Sequence, residues 1–204
     1  MARYLGSKCK ICRQLNFSVC GSEHCALERR TTLPGMHPES RRKISEFKKR
    51  LIEKQKLRFF YWVSEQQFRN YVKEASQKKG ISGETLVSLL ERRLDNIVYR
   101  LGFAPSILAA RQMVVHGHIL VNGRKVDKPS YSLKGGDAVS LREKSKKMPL
   151  VEEGLARSMA RSKLPYIEVD KENLTGTLTV VPERAQIPLE INEGLIMEHY
   201  SRYI

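Results

Sequence analysis

The hydrophobic positions of the first hundred residues recur mostly at helical spacing. The first such stretch follows Ser40, and its apolar stripe comprises Ile44, Phe47 and Leu51 between arginines and lysines. The sequence SEQQ at residues 64–67 matches a capping box, in which a serine side chain is followed three residues later by a glutamine. The pattern therefore predicts two successive amphipathic helices.

A third predicted helix is the longest, and it covers residues 82–101 with Gly102 as its stop. Its apolar side chains are spaced to bury one face: Leu86, Leu89, Leu90, Leu94, Ile97, Val98 and Leu101. A shorter helix capped by Ser106 ends at Gly117. Further helices are predicted near residues 150–162 and after Asn192.

Short β-strands are predicted only in the second half of the chain. Ile119–Val121 and residues 124–126 flank Asn-Gly, the strongest short hairpin signal. Ala138–Leu141 is predicted as a further strand, and strands at residues 166–169 and 177–181 are predicted around a turn at Thr175-Gly176. The predicted class is α+β, with a small N-terminal knob, a helical region and a β-containing module.

The distribution of charge along the chain indicates a polyanionic binding partner. The 204 residues include 37 Lys and Arg against 22 Asp and Glu, a net charge of +15. Residues 1–60 carry +10, residues 61–150 carry +8 and residues 151–204 carry −3. Lysines and arginines that served solubility alone would be scattered evenly, so the gradient favours nucleic acid as partner of the first two thirds. No apolar run approaches the roughly 20 residues of a membrane span, and no signal-peptide core is present, so we expect neither a membrane nor a secreted protein.

All four cysteines fall near the N-terminus, at Cys9, Cys12, Cys20 and Cys25. Thiolates favour tetrahedral zinc, and disulfides are rare in the reducing compartment that a chain without a secretion signal occupies. The spacing therefore predicts one structural zinc ion with four cysteine ligands. An iron–sulfur cluster fits the spacing less well, and His24 is an alternative to Cys25 as the fourth ligand.

Several motifs of the chain resemble those of the S-four family of bacterial small-subunit ribosomal proteins. Residues 111–126, RQMVVHGHILVNGRKV, resemble the core of the S-four RNA-binding domain, and residues 93–104 resemble its opening helix. The matching pattern continues through the segments at residues 1–4, 53–58, 67–70, 191–193 and 199–201. The four cysteines resemble those of the zinc-bearing branch of the family.

The resemblance implies three segments: a zinc-binding segment with linker at 1–39, a helical domain at 40–91 plus 185–204, and an S-four module with attached strands at 92–184. It implies a structural, non-enzymatic component of the cytoplasmic ribosome that grips a multi-helix junction of 16S-type rRNA, nucleates assembly of the subunit body and influences translational accuracy. It also implies contact with the neighbouring protein of the S-five family, which we expect near Glu46, Phe47, Arg50, Ile196 and Tyr200. No membrane and no small-molecule substrate are expected.

Basic and polar side chains of the knob, the helices and the hairpin module are the candidate RNA contacts, because they suit phosphate and sugar oxygens. These candidates are Arg3, Lys8, Arg29, Arg30, Arg41, Arg42, Lys43, Lys54, Lys56, Arg58, Arg69, Arg93, Arg100, Arg111, Gln112, His116, His118, Asn122, Arg124 and Lys125. The alternative for Arg111 and Arg124 is an ordinary solvated charge. Gln112, His116 and His118 alternatively satisfy backbone groups around the Gly117 turn.

Two other functional classes share features with this sequence. The tripeptide Arg93-Leu94-Asp95 resembles the catalytic tripeptide of some RNA pseudouridine synthases, but we predict it inside a regular helix, with Asp95 paired to a nearby arginine. A zinc-containing regulator that binds duplex DNA would share the basic charge. Walker, GxSxG and HExxH motifs are absent from the sequence.

Overall fold

The structure is a computed structural model, and it describes residues 4, 6–21, 25–36, 44–159, 164–201 and 203. The helices are α1 (Lys8–Leu15), α2 (Ala26–Arg29), α3 (Glu46–Phe60), α4 (Glu65–Gln77), α5 (Ser82–Glu91), α6 (Leu94–Arg100), α7 (Ile107–Val115), α8 (Pro149–Met159) and α9 (Glu193–Tyr200). The strands are β1 (Ile119–Val121), β2 (Arg124–Lys125), β3 (Ala138–Leu141), β4 (Ile167–Asp170) and β5 (Thr175–Leu178). The chain divides into two compact units, residues 1–83 with 190–204 and residues 84–189. Most of α5, which we grouped with the helical domain, lies in the second unit.

Two helices of the first unit begin where the sequence places their caps, whereas α3 is capped by Ser45 and not by the predicted Ser40. The hydroxyl of Ser45 accepts a hydrogen bond from the Lys48 amide, and that of Ser64 accepts one from the Gln67 amide. Asn192 caps α9 in the same way, through the amide of Leu195. The predicted starts at Ser64 and Asn192 are therefore confirmed. A side-chain cap joins residues that are close in the sequence, so it can be predicted without the fold.

The buried face of α3 differs from the predicted stripe. Ile44 and Phe47 are 48% and 51% exposed, whereas Lys54 and Leu57 are buried. α3 packs against α9, so the face of α3 that meets α9 is the one that is covered. The C-terminal end of α3 leads into Tyr61, which is fully buried.

The long helix predicted over residues 82–101 is interrupted, and α5 and α6 are separated at Arg92 and Arg93. Arg93 has extended backbone and forms an isolated antiparallel bridge with Ser132. The amide of Leu94 donates to the carbonyl of Tyr131 at 2.9 Å. Backbone pairing with this distant segment replaces helical hydrogen bonds, so the prediction of one continuous helix is wrong. The predicted apolar residues on both sides of the break are nevertheless buried.

The second unit contains one antiparallel sheet in the order β2-β1-β3-β5-β4. β1, β2 and β3 have the predicted positions, and the predicted α+β class is confirmed. The last hairpin is shifted, because its turn lies at residues 171–174 and not at Thr175-Gly176. Gly176 instead lies within β5 opposite Val139 and Val169, where a Cβ would overlap the side chain of Leu101. The glycine that suggested a turn is therefore required by close packing.

The described helices include none that is long and apolar enough to cross a membrane.

Candidate nucleic-acid interface

The β1–β2 hairpin has a rigid two-residue turn. Asn122 and Gly123 have φ values of 50° and 77°, the left-handed conformation that a type I′ turn requires at both positions. Asn122 also joins the hairpin to β3, because its Nδ2 donates to Asp137 Oδ1 at 2.9 Å and its Oδ1 accepts from the Ala138 amide at 2.9 Å. This side chain, predicted as an RNA contact, therefore has its polar atoms in use within the fold.

Several predicted RNA contacts of the second unit are exposed near this hairpin. They are Gln112, His116, Arg124 and Lys125. Exposed lysines and arginines that the sequence argument did not select follow them along the chain: Lys128, Lys134, Arg142, Lys144 and Lys147. The cluster at residues 142–147 is recognisable in the sequence as a run of basic residues after β3. These side chains give the second unit a basic surface formed by several elements.

His118 is partly buried beside the hairpin. Its Nδ1 lies 2.9 Å from the Oγ of Ser145, whose residue is buried. Burial lowers the pKa of His118, and the nearby His116 and Arg142 lower it further. The imidazole is therefore neutral at pH 7, and it serves there as a hydrogen-bonding group.

Arg93 and Arg111 are both paired with Asp95. Arg93 donates from Nε to Oδ1 at 3.0 Å and from Nη2 to Oδ2 at 2.8 Å, and Arg111 donates from Nε to Oδ2 at 2.8 Å. The Asp95 side chain is fully buried, and the side chains of Arg93 and Arg111 are 3% and 16% exposed. Arg93 is therefore not available as the RNA contact that we predicted. The predicted pairing of Asp95 with an arginine is confirmed, but the tripeptide opens α6 and does not lie inside a helix.

Arg100 is held in a second polar cluster of the same unit. Its Nε donates to Glu91 Oε1 at 2.9 Å, and the hydroxyl of Tyr166 donates to the same oxygen at 2.8 Å. The Glu91 and Tyr166 side chains are fully buried, and the Arg100 side chain is 11% exposed. Arg100 is therefore held against the core by Glu91, and its predicted role as an RNA contact is corrected.

The predicted RNA contacts of the first unit differ in exposure. Lys8, Arg29, Arg30 and Arg69 are exposed. Lys54 is buried and its Nζ lies 2.8 Å from Glu65 Oε1, so this prediction is also corrected.

The side chains of Lys56 and Arg58, on the same helix, are partly exposed. Lys56 pairs with Glu53 at 2.7 Å, and the Arg58 guanidinium lies over the Phe59 ring, 4.1 Å from its centroid. Both side chains are about one fifth exposed, at 21% and 18%. Arg58 thus covers apolar surface with its planar group.

The residues predicted to contact the S-five protein are divided between surface and core. Glu46 and Phe47 are exposed on α3, and Arg50 is paired with Glu198 at 2.8 Å. Ile196 and Tyr200 are buried, and the Tyr200 hydroxyl donates to Glu65 at 2.7 Å. These two residues close the core of the first unit, so their assignment to an interface is corrected.

The four cysteines lie close together in the first unit. The sulfur atoms of Cys9, Cys20 and Cys25 all lie within 4.8 Å of one another. The thiol of Cys12 interacts with those of Cys20 and Cys25, and its sulfur accepts a hydrogen bond from the Val19 amide at 3.4 Å. Burial raises the pKa of the Cys12 thiol to about 12. α1 and the segment that connects it to α2 thus bring together three sulfur atoms, with the Cys12 thiol beside them.

The remaining predicted contacts, Arg3, Arg41, Arg42 and Lys43, lie outside the described residues.

Comparisons with known proteins cover both units. A family model described as the ribosomal protein S4/S9 N-terminal domain matches residues 3–91, and the S4 domain matches residues 92–139. The small ribosomal subunit protein uS4 of Magnetococcus marinus is 49% identical over 208 residues, which cover 99% of this chain and all of the relative. The chain belongs to the uS4 family.

Other uS4 proteins match over the same extent. Those of Thermus thermophilus and Geobacter metallireducens are each 46% identical, and each alignment covers 99% of this chain and the whole of the relative. The uS4 family consists of ribosomal proteins and not of enzymes. The S4 domain match contains α6, α7 and the β1–β2 hairpin, where the exposed basic side chains of the second unit begin.

Proposed function

We propose that this chain is a structural component of the small ribosomal subunit in the cytoplasm, where it binds small-subunit rRNA. The main support for the proposal is that the S4 domain match includes a rigid hairpin that exposes Arg124 and Lys125. A rigid basic surface suits RNA, whose shallow minor groove and bent junctions are recognised by shape and by phosphate contacts. Gripping a multi-helix junction, nucleating the subunit body and influencing accuracy are parts of the same proposal.

Filter binding tests this function. The full chain is titrated with a small-subunit rRNA fragment that contains the multi-helix junction, and duplex DNA and tRNA serve as competitors at equal salt. We expect the fragment to bind most tightly, and the affinity to fall steeply with salt because several phosphates are neutralised together. Equal affinity for all competitors would contradict the proposal, and a preference for duplex DNA would favour the DNA-binding regulator.

The proposal also includes one structural zinc ion held by Cys9, Cys12, Cys20 and Cys25. Its support is the donor set, since thiolates suit tetrahedral zinc, three of the sulfur atoms lie within 4.8 Å of one another and the Cys12 thiol interacts with two of them. The Val19 amide supplies the kind of hydrogen bond to sulfur that orients a ligand. Zinc would deprotonate the buried Cys12 thiol and would tie α1 to α2.

Metal analysis of the purified chain tests the zinc proposal. We expect about one zinc per chain, loss of this zinc in Cys9→Ser, and retention in Gln14→Ser, which changes an exposed residue of α1. A wild-type chain without zinc, or a Cys9→Ser variant that keeps its full content, would contradict a four-cysteine site.

A contact with the S-five protein is proposed on the exposed part of α3. Phe47 is 51% exposed, and its ring lies 5.5 Å from that of His199 on α9. Large exposed aromatic side chains are common anchors of protein interfaces. We expect Phe47→Ala to weaken co-purification with an S-five protein, whereas Ile81→Ala, at an exposed apolar position of the same unit, leaves it unchanged. Equal effects of the two substitutions would contradict the assignment.

A further inference from the structure

The C-terminal end of α3 carries a tryptophan where the backbone favours glycine. Trp62 has a φ of 50°, in the left-handed region that a bulky residue rarely adopts. Its amide donates to the Phe59 carbonyl at 3.2 Å, and the Val63 amide donates to the Arg58 carbonyl at 3.0 Å, the two hydrogen bonds of a Schellman cap. Glycine is the usual residue at this position of the cap because it has no Cβ. Since tryptophan is strained here, its side chain is expected to have a role of its own.

The indole of Trp62 reaches the segment that carries the cysteines. Its Nε1 donates to the Val19 carbonyl oxygen at 3.1 Å, although the two residues are 43 positions apart in the chain. Trp62 is 7% exposed and Val19 is 5% exposed, so this hydrogen bond lies in the interior, where it is stronger than in water. The only polar atom of an indole is this donor. Trp62 therefore uses its donor on the backbone between α1 and α2.

The Val19 carbonyl belongs to the same peptide group as the Cys20 N–H. The backbone of Cys20 hydrogen-bonds to the Cys12 thiol, and the Val19 amide donates to the Cys12 sulfur at 3.4 Å. Burial raises the pKa of the Cys12 thiol to about 12, and these two backbone hydrogen bonds oppose the rise. A peptide group that accepts a hydrogen bond at its oxygen becomes a stronger donor at its nitrogen. One peptide group therefore connects the indole of Trp62 with the Cys12 sulfur.

We propose that Trp62 is a positioning residue of the four-cysteine site, which directs backbone N–H groups at the Cys12 sulfur. The proposal rests on the proposed zinc ion and assigns a further residue to its site. Hydrogen bonds to a ligand atom orient that ligand and tune how strongly it binds a metal. By holding the Val19 carbonyl, the indole fixes both the N–H that faces Cys12 and the backbone from which the Cys20 side chain extends.

The ring of Trp62 also has apolar contacts that do not depend on its N–H. Its centroid lies 5.6 Å from that of Phe59, with the planes inclined by 74°, and 6.1 Å from that of Tyr4. These contacts alone would anchor the cysteine segment to α3 without any effect on the sulfur. Phe59→Leu removes one of the ring contacts and retains the indole N–H, so it is the matched control for packing.

Replacement of the indole N–H tests the proposal in the full chain. Trp62 is the single tryptophan, so biosynthetic incorporation of benzothienylalanine, in which sulfur replaces the N–H, changes this side chain alone and keeps its shape. Competition with a chromogenic chelator measures the zinc affinity. We expect the benzothienylalanine chain and Trp62→Phe to bind zinc about tenfold more weakly than wild type, a loss typical of partners of metal ligands. Phe59→Leu should retain the wild-type affinity.

Cobalt bound in place of zinc provides a readout that packing alone would not move. The charge-transfer absorption from thiolate to cobalt depends on hydrogen bonds to sulfur, because these bonds lower the energy of the sulfur electrons. We expect the band to move to longer wavelength in the benzothienylalanine chain and in Trp62→Phe. In Phe59→Leu the band should stay at its wild-type position.

The outcomes separate the positioning role from the zinc site itself. Equal zinc affinities of wild type and the benzothienylalanine chain would overturn the role of Trp62. Weaker zinc binding with an unchanged cobalt band, or equal effects of Trp62→Phe and Phe59→Leu, would also overturn it and would indicate anchoring by packing. A wild-type chain that binds neither zinc nor cobalt would overturn the proposed zinc site.

Discussion

Arg93 and Asp95 form a buried two-point ion pair at the start of α6, with donor–acceptor distances of 3.0 and 2.8 Å. The backbone of Arg93 is extended, so its side chain turns back onto a carboxylate two residues ahead. Asp95 also accepts from Arg111 on α7, so one buried acid connects the bridge segment with the helix before the hairpin. The pair therefore supports the framework that carries the exposed bases.

Replacement of Asp95 by Asn should strongly destabilise the second unit. The substitution leaves two poorly exposed guanidinium groups without their shared anion, which costs about 3–5 kcal/mol for a buried pair. Urea unfolding followed by circular dichroism measures the loss in free energy of unfolding. The control is Asp127→Asn, at an exposed position between β2 and β3, where we expect little change. Similar stabilities of the two variants would show that the ion pair contributes nothing.

Tyr166→Phe should lower stability at neutral pH and should make it less sensitive to alkali. The buried hydroxyl donates to Glu91 at 2.8 Å, and its removal costs about 1–3 kcal/mol. Burial, with the nearby charge of Glu91, raises the pKa of Tyr166 above its ordinary value of 10. The stabilisation linked to this protonated phenol is thus present below pH 10 and is lost as the pH rises further.

Urea unfolding at pH 7 and at pH values above 10 measures this difference. Wild type and Tyr166→Phe should converge in stability as the pH rises, whereas Tyr131→Phe, at a residue that is 41% exposed, should follow wild type throughout. A constant difference between wild type and Tyr166→Phe at all pH values would contradict the linkage.

Glu65→Gln should change the acid stability of the first unit. Burial raises the pKa of Glu65, but hydrogen bonds from Lys54 and Tyr200 and the charges of Lys54 and Arg58 outweigh it, so the net pKa is lowered from 4.5. A lowered pKa in the folded state gives stability that is present above about pH 4.5 and is lost as the pH falls through the folded value. The variant lacks this component.

Unfolding profiles between pH 7 and pH 2 provide the measurement for Glu65. Wild type should lose stability more steeply below pH 4.5 than Glu65→Gln, which begins lower because Lys54 has lost its charged partner. Glu74→Gln removes an exposed acid of α4 that pairs with Lys78, and it should retain the wild-type profile. Parallel profiles for wild type and Glu65→Gln would contradict the assignment.

Gly154→Ala should destabilise the second unit although alanine is the better helix former. A Cβ at Gly154 in α8 would lie 2.6 Å from the Gly102 carbonyl oxygen and 2.7 Å from the Ala104 nitrogen. Both are backbone atoms, so relief requires movement of the chain, at a cost of about 1–3 kcal/mol. Thermal unfolding should show a lower midpoint.

Gly194→Ala is the matched helical control. Its Cβ would approach only the Asn192 side-chain oxygen, at 3.2 Å, so the helix propensity of alanine should leave the midpoint unchanged or slightly raised. A Gly154→Ala variant as stable as Gly194→Ala would show that α8 is free to move away from residues 102–104.

Local features of the site were predictable from the sequence. The Asn-Gly turn at residues 122–123 has the φ values of a type I′ hairpin, and the hydroxyl of Ser106 caps α7 through the Ala109 amide. The N-terminal clustering of the cysteines is likewise evident from the sequence, and three of their sulfur atoms lie within 4.8 Å of one another. Each feature depends on residues that are close in the chain or on an amino acid type with special backbone freedom.

Interruption of the long apolar helix was not predictable in the same way. The spacing of Leu90, Leu94 and Ile97 is helical, and all three are buried, yet the backbone at Arg93 pairs with Ser132. Side-chain periodicity is retained across the break because the segments on both sides face the same core. Periodicity alone therefore does not distinguish one helix from two.

The sequence by itself determined the caps, the hairpin turn, the cysteine cluster and the basic gradient, because these follow from neighbouring residues or from composition. Only the tertiary structure decided which basic side chains remain at the surface. Arg93, Arg100 and Lys54 are covered because packing buries them beside Asp95, Glu91 and Glu65, and Tyr166 meets Glu91 across 75 residues of chain. A charged side chain is buried where a partner offsets its desolvation, and only the packing of the fold decides which of these pairs is covered.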